Sequence, residues 1–155
     1  MNQPFFVCML YIYNMKFTIP IRIIELEQNN YHIILTSRFE DGSEGFWLID
    51  TGASKSIFDR NLETHFKIIE GLSDELYSAG KGDEIMKSEV AVLNPFWFEK
   101  LRIEEMRVAV LDLSHINELY SKYTDIKICG LIGGDFLVKY GVTIDYQRKK
   151  LVLRK

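Results

Sequence analysis

The residues best placed to do chemistry lie in one short stretch, Trp47-Leu48-Ile49-Asp50-Thr51-Gly52-Ala53-Ser54. Phe46 to Ile49 form an apolar run suited to a sheet interior, and the run ends directly on a carboxylate. Gly52 permits a tight bend after it, and the Thr51 hydroxyl can fix that bend, so the loop can aim Asp50 into a cleft. A carboxylate so placed can give or take a proton. Asp135 and Asp145 are the rival carboxylates with apolar neighbours. The first reads as the cap of a helix and the second as a turn-fixing group beside Tyr146.

A second stretch belongs with the first. Cys129-Gly130-Leu131-Ile132-Gly133-Gly134-Asp135-Phe136-Leu137 places two hydrophobic residues and a glycine before a short helix. Together with Asp50-Thr51-Gly52-Ala53-Ser54, this resembles the retropepsin-like aspartic proteases of the single-domain, bacterial type. The segment Val142 to Tyr146 with the basic turn Gln147 to Lys150 extends the likeness, which covers roughly Phe17 to Lys155. The resemblance implies Asp50 as the catalytic residue and Thr51, Gly52 and Ala53 as its loop. It implies Leu131, Ile132 and Gly133 as the hydrophobic-glycine element behind the loop. A glycine-bearing hairpin in this order along the chain would be the flap, here Ala79, Gly80, Lys81 and Gly82, and an ordinary hairpin turn is the other reading of those residues. Asp-Thr-Gly occurs once, so a pair of catalytic aspartates requires two copies of the chain, a homodimer. The implied activity is peptide-bond hydrolysis by a water held between two Asp50 carboxylates, on a peptide or protein substrate, with no cofactor. The alternative is a catalytically silent peptide-binding module on the same fold.

Length and composition agree with one domain. The chain has 155 residues, 47% of them hydrophobic, enough for a real core. A net charge of -3 without a basic stripe excludes nucleic acid as the main partner. His32, His65 and His115 lack metal-ligand spacing, and Cys8 and Cys129 read as free thiols rather than a disulfide. No Gly-x-Ser-x-Gly elbow, His-Glu-x-x-His pair or phosphate-binding loop occurs. The apolar stretch Pro4 to Tyr13 is too short to span a bilayer and lacks the flanks of a signal peptide. Residues 1–14 therefore read as an extension before a domain over 15–155, with Met15 as an alternative start. A cytoplasmic protein without a membrane partner is expected, with export left open by that apolar terminus.

The fold expected is mainly β, a single-domain retropepsin-like closed barrel or sandwich with two or three short helices. Alternation from Phe17 to Ile23 predicts one half-buried strand, with Pro20 at an edge or at the strand's start. Tyr31 to Phe39 and Gly45 to Asp50 predict a hairpin whose far end is the Asp50 loop, and Ile85 to Leu93 and Met106 to Leu111 predict further strands. Asp59 is expected to cap a helix reaching about Glu70, with Leu62, Phe66 and Ile69 on its inner face. A second helix is expected from Asp112-Leu113-Ser114, with Ile116, Leu119, Tyr120 and Tyr123 as core. A third is expected over Phe136 to Tyr140, capped by Asp135 and ended by Gly141.

Overall fold

The computed structural model describes residues 15–77 and 85–155. The reading of residues 1–14 as an extension and of Ala79, Gly80, Lys81 and Gly82 as a flap lies outside the described residues. Thirteen strands and two α-helices make the fold mainly β among those residues.

The predicted first strand is two. β1 (Lys16–Pro20) and β2 (Arg22–Glu27) part at Ile21, whose amide donates to the Lys149 carbonyl. Pro20 ends β1, an edge strand of the small sheet β1-β13-β12 formed with β12 (Thr143–Asp145) and β13 (Lys150–Arg154). A proline costs nothing there because no inner neighbour needs its missing amide. The alternation holds: Ile19 and Ile21 are buried, while Thr18, Pro20 and Arg22 face solvent.

The large sheet has ten strands. Along it run β6 (Phe66–Tyr77), β7 (Ile85–Leu93), β10 (Met106–Leu111), β5 (Ile57–Asp59), β11 (Ile128–Ile132), β4 (Glu44–Ile49), β3 (Asn30–Phe39), β8 (Phe96–Phe98) and β9 (Leu101–Ile103), with β2 also paired to β3. The sheet curls into a half-barrel, and among the described residues no ladder joins β6 to β9, so of the expected closed barrel or sandwich the mainly β, curled sheet is what the structure shows. The β3–β4 hairpin turns as predicted, with Gly42 at φ 83° and the Asp41 carboxylate accepting from the Ser43 amide and hydroxyl. Inside the curl, Trp47, Phe58, Phe96 and Phe98 are fully buried ring against ring, with Trp47 stacked on Phe96 at 5.5 Å. The Trp47 indole N–H donates to the buried Ser37 hydroxyl at 2.8 Å, so the one polar atom of that ring is satisfied.

Two helical expectations are corrected. No helix follows Asp59: a 3-10 turn at Glu63–His65 leads straight into β6. Phe66, Lys67 and Ile68 pair with Leu93, Val92 and Ala91 of β7, and Leu62 and Phe66 pack on the core from this extended chain. A ready ladder partner and adjacent β-branched residues outweigh the helical spacing. Asp59 is buried at the end of β5, where its Oδ1 accepts from both Asn61 nitrogens and from the Leu113 amide. Its Oδ2 has no hydrogen-bond partner among the described residues.

Helix α1 (Ser114–Ser121) forms where predicted, but only part of its expected face is core. Tyr120 is buried and Ile116 half-buried, whereas Leu119 and Tyr123 are 42% and 48% exposed. Tyr123 instead donates its hydroxyl hydrogen to Glu27, which raises the phenol pKa. Tyr120 meets His32 Nδ1 at 2.7 Å, and burial pushes its phenol up to about 12. The Asn117 side chain clasps Ile128, donating to its carbonyl and accepting from its amide. The helix thereby fixes the start of β11, the strand that supports the Asp50 loop.

Candidate active site

β4 and β5 flank β11 on opposite sides. β11 runs parallel to β4, with Leu131 opposite Leu48 and Ile132 opposite Ile49, and antiparallel to β5. The connection from β4 to β5, residues 50 to 56, must therefore pass over the end of β11. The Asp50 amide donates to the Ile132 carbonyl at 3.0 Å, so the sheet ladder continues one residue into the loop and fixes where Asp50 stands. The bend closes on itself: the Gly52 amide donates to Asp50 Oδ1 at 2.9 Å, and the Ala53 amide to the Asp50 carbonyl at 3.2 Å. Asp50 is half-buried, Thr51 and Gly52 are exposed, and Ala53 is half-buried. Asp50 Oδ2 makes no hydrogen bond or ion pair among the described residues.

Gly133 is where the loop and β11 touch. A Cβ there would stand 2.6 Å from both the carbonyl carbon and the oxygen of Lys55 and 3.0 Å from the Ala53 carbonyl oxygen. These are backbone atoms that cannot step aside, so the position requires glycine. Gly130 is similarly confined, at 2.5 Å from the Ile57 carbonyl oxygen and 2.6 Å from the Trp47 ring. The structure brings these two stretches together: Asp50 bonds to Ile132, and Gly133 lies against the backbone of Ala53 and Lys55.

Asp135 does something other than cap a helix. Helix α2 (Gly134–Lys139) has Gly133 at its N-cap, without a side-chain cap. Asp135 Oδ1 accepts instead from the Ser56 hydroxyl at 2.7 Å, the Ser56 amide at 2.9 Å and the Phe136 amide at 2.8 Å. Ser56, fully buried, also accepts from the Gly133 amide at 3.0 Å. The amides of Gly134 and Asp135 donate to the Ala53 and Ser54 carbonyls at 2.7 and 3.2 Å. The loop after Asp50 is therefore bolted to the start of α2 by five hydrogen bonds across the two segments. Ser56 was missed by the sequence reading. A serine opening an apolar strand directly after the loop was its only signal. As predicted, Gly141 ends α2 in the left-handed region, at φ 50°, and Asp145 fixes a turn, accepting from the Arg148 amide and guanidinium.

Two cavities open beside the loop. One, of about 440 Å³, is lined by Lys55, Glu105, Arg107 and Asp135 with residues of α2. The other, of about 240 Å³, lies between Lys55, Arg107 and the roots of β6 and β7 at Leu72 and Val90. Cys129 is a buried free thiol, and burial raises its pKa well above the usual value, so it is not a nucleophile here. Among the described residues no cluster of His, Cys, Asp or Glu could hold a metal ion.

In overall fold the chain is similar to solved retropepsin-like aspartic protease structures. The crystal structure of a retropepsin-like aspartic protease from Rickettsia conorii aligns over 90% of both chains, with 16% identity and a TM-score of 0.48. That of the retroviral protease-like domain of Ddi1 from Leishmania major aligns over 79% of this chain and 89% of its own, with 12% identity and a TM-score of 0.44. No protein-family model and no curated protein matches the sequence.

Proposed function

We propose that this chain is an aspartic endopeptidase that works as a homodimer, with one Asp50 from each copy forming the catalytic pair. The observation that carries the reading is the tie between the Asp50 amide and the Ile132 carbonyl. It holds a half-buried aspartate at the end of a sheet strand with one carboxylate oxygen bonded inside the loop and the other, among the described residues, without a hydrogen-bond partner. Such an oxygen can bind water.

Two Asp50 carboxylates brought close across a two-fold axis cannot both ionise, so they share a proton and titrate as a unit. The ionised member takes a proton from water as that water attacks the peptide carbonyl. The protonated member donates a hydrogen bond to the carbonyl oxygen and then supplies the proton that leaves with the amine. The loop's bonds to β11 and α2 hold each Asp50 within its own copy, and the contact between copies would set the separation that proton sharing demands. Residues 79–82 would cover the substrate as a flap. The substrate is an extended peptide, held by main-chain hydrogen bonds.

The test compares wild type with Asp50→Asn on a broad peptide mixture from acidic to neutral pH, with sedimentation equilibrium on both. Wild type is expected to yield cleavage products and to dimerise, and the variant to remain folded and yield none. Equal cleavage by the two proteins would remove Asp50 from the mechanism. Peptide binding without cleavage by either would favour the silent binding module.

A further inference from the structure

Among the described residues, Lys55 and Arg107 are the two cationic residues that line both cavities beside the Asp50 loop. Their closeness follows from the sheet. β5 and β10 run parallel with Ile57 opposite Ala109, and the Ala109 amide donates to the Ser56 carbonyl at 3.0 Å. Lys55 lies in the bend just before β5 and Arg107 is the second residue of β10, and the two side chains line the same two cavities. Two like charges that line one cavity repel. Among the described residues neither side chain has a hydrogen bond or ion pair to relieve that repulsion.

The nearby acids do not take up the role. Glu105 and Asp135 share the larger cavity, yet neither is within ion-pair distance of Lys55 or Arg107. Asp135 Oδ1 is already occupied by three donors. The third cation of the larger cavity, Lys139, lies over the Tyr140 ring at 5.4 Å. The smaller cavity reaches Leu72 and Ser73 of β6 and Val90 of β7, and shares Lys55, Arg107 and Asp135 with the larger.

We infer that Lys55 and Arg107 form a specificity site that takes the carboxylate side chain of an acidic residue in the bound peptide, beside the bond that is cut. The inference rests on the endopeptidase reading for the word substrate, while the binding site stands on the two cations alone. An aspartate or glutamate entering here relieves the repulsion between them, and both can donate to one carboxylate. A lysine or arginine at the same peptide position meets like charge and is rejected.

The test uses the full chain carrying Asp50→Asn, with fluorescent peptides that differ only by Glu or Gln at each position in turn. Binding is read by polarisation at low and high salt, and cleavage profiles are taken in parallel with Asp50 intact. At one peptide position Glu is expected to bind about tenfold more tightly than Gln at low salt, with the difference shrinking as salt screens it. Lys55→Gln and Arg107→Gln should each reduce that ratio towards one, and Lys55→Glu should reverse it in favour of a Lys-bearing peptide. A Glu-to-Gln ratio near one at every position, a ratio unchanged by both variants, or no binding of any peptide would each overturn the site. Acid-selective binding with no cleavage by the Asp50 protein would uphold the site and sink the endopeptidase reading. Cleavage without acid preference would do the opposite.

Discussion

Ser56→Ala removes one oxygen from the joint between the Asp50 loop and α2, and its cost can be worked from the contacts. The hydroxyl donates to the Asp135 carboxylate at 2.7 Å and accepts from the Gly133 amide at 3.0 Å, and the side chain is fully buried. Losing a hydrogen bond to a charged group costs roughly 1.5–3 kcal/mol, and leaving a buried amide unsatisfied costs roughly 1–3 kcal/mol. Asp135 keeps the Ser56 and Phe136 amides, so its carboxylate is not stripped and the lower ends of both ranges apply. A loss of about 3 kcal/mol is expected, a large part of the roughly 5–15 kcal/mol that holds a domain together. Urea unfolding of wild type, Ser56→Ala, Asp135→Ala and the double variant, at one protein concentration because a dimer's stability depends on it, reads both the loss and the coupling. The two singles should be non-additive by at least about 1 kcal/mol, as expected for groups sharing one hydrogen bond. A single-variant loss below about 1 kcal/mol, or additivity within error, would refute the view that this pair fastens the loop.

Two further predictions concern ionisable groups. The carboxyls of Asp41, Asp112 and Asp145 are held below their usual 3.8 by hydrogen bonds, chiefly from the Ser43 side chain, the Ser114 side chain and the Arg148 amide. Their folded values are depressed, so their stabilisation is complete above 3.8 and is lost as pH falls through the lower folded values. The melting temperature should therefore drop on acidification below that point, by a small amount because all three are solvent-screened. Ser114→Ala should move Asp112 back towards 3.8 in a carboxyl NMR titration, and a wild-type Asp112 already at that value would contradict the assignment. The buried Cys129 thiol should resist iodoacetamide at neutral pH in the folded protein and react once denaturant exposes it. Rapid labelling of the native protein at Cys129 would show that β11 opens far more readily than its burial allows.

What the sequence determined by itself was mostly local or tied to backbone geometry. Alternation marked the chain from Phe17 to Ile23 and β10, because a half-buried strand imposes period two on its residues. Gly42 and Gly141 marked bends, because positive φ excludes most side chains. Asp50-Thr51-Gly52 and Leu131-Ile132-Gly133 were paired in the sequence only through their resemblance to the retropepsin-like proteases. Tertiary structure decided the rest. Phe66 to Ile69 carry spacing that a helix could use, and only the presence of β7 alongside made them a strand. Asp135 has the residue type and place of a helix cap, and only the arrival of Ser56, 79 positions away in sequence, made it an anchor of the Asp50 loop. Leu119 stands beside Tyr120 on helix α1 and Tyr123 just past its end, yet both remain largely exposed. Lys55 and Arg107 are 52 residues apart by their numbering and meet only in the folded chain, where both line the same two cavities. A side chain's role in these cases depends on which distant partner meets it, and a single strand of sequence does not encode that partner locally.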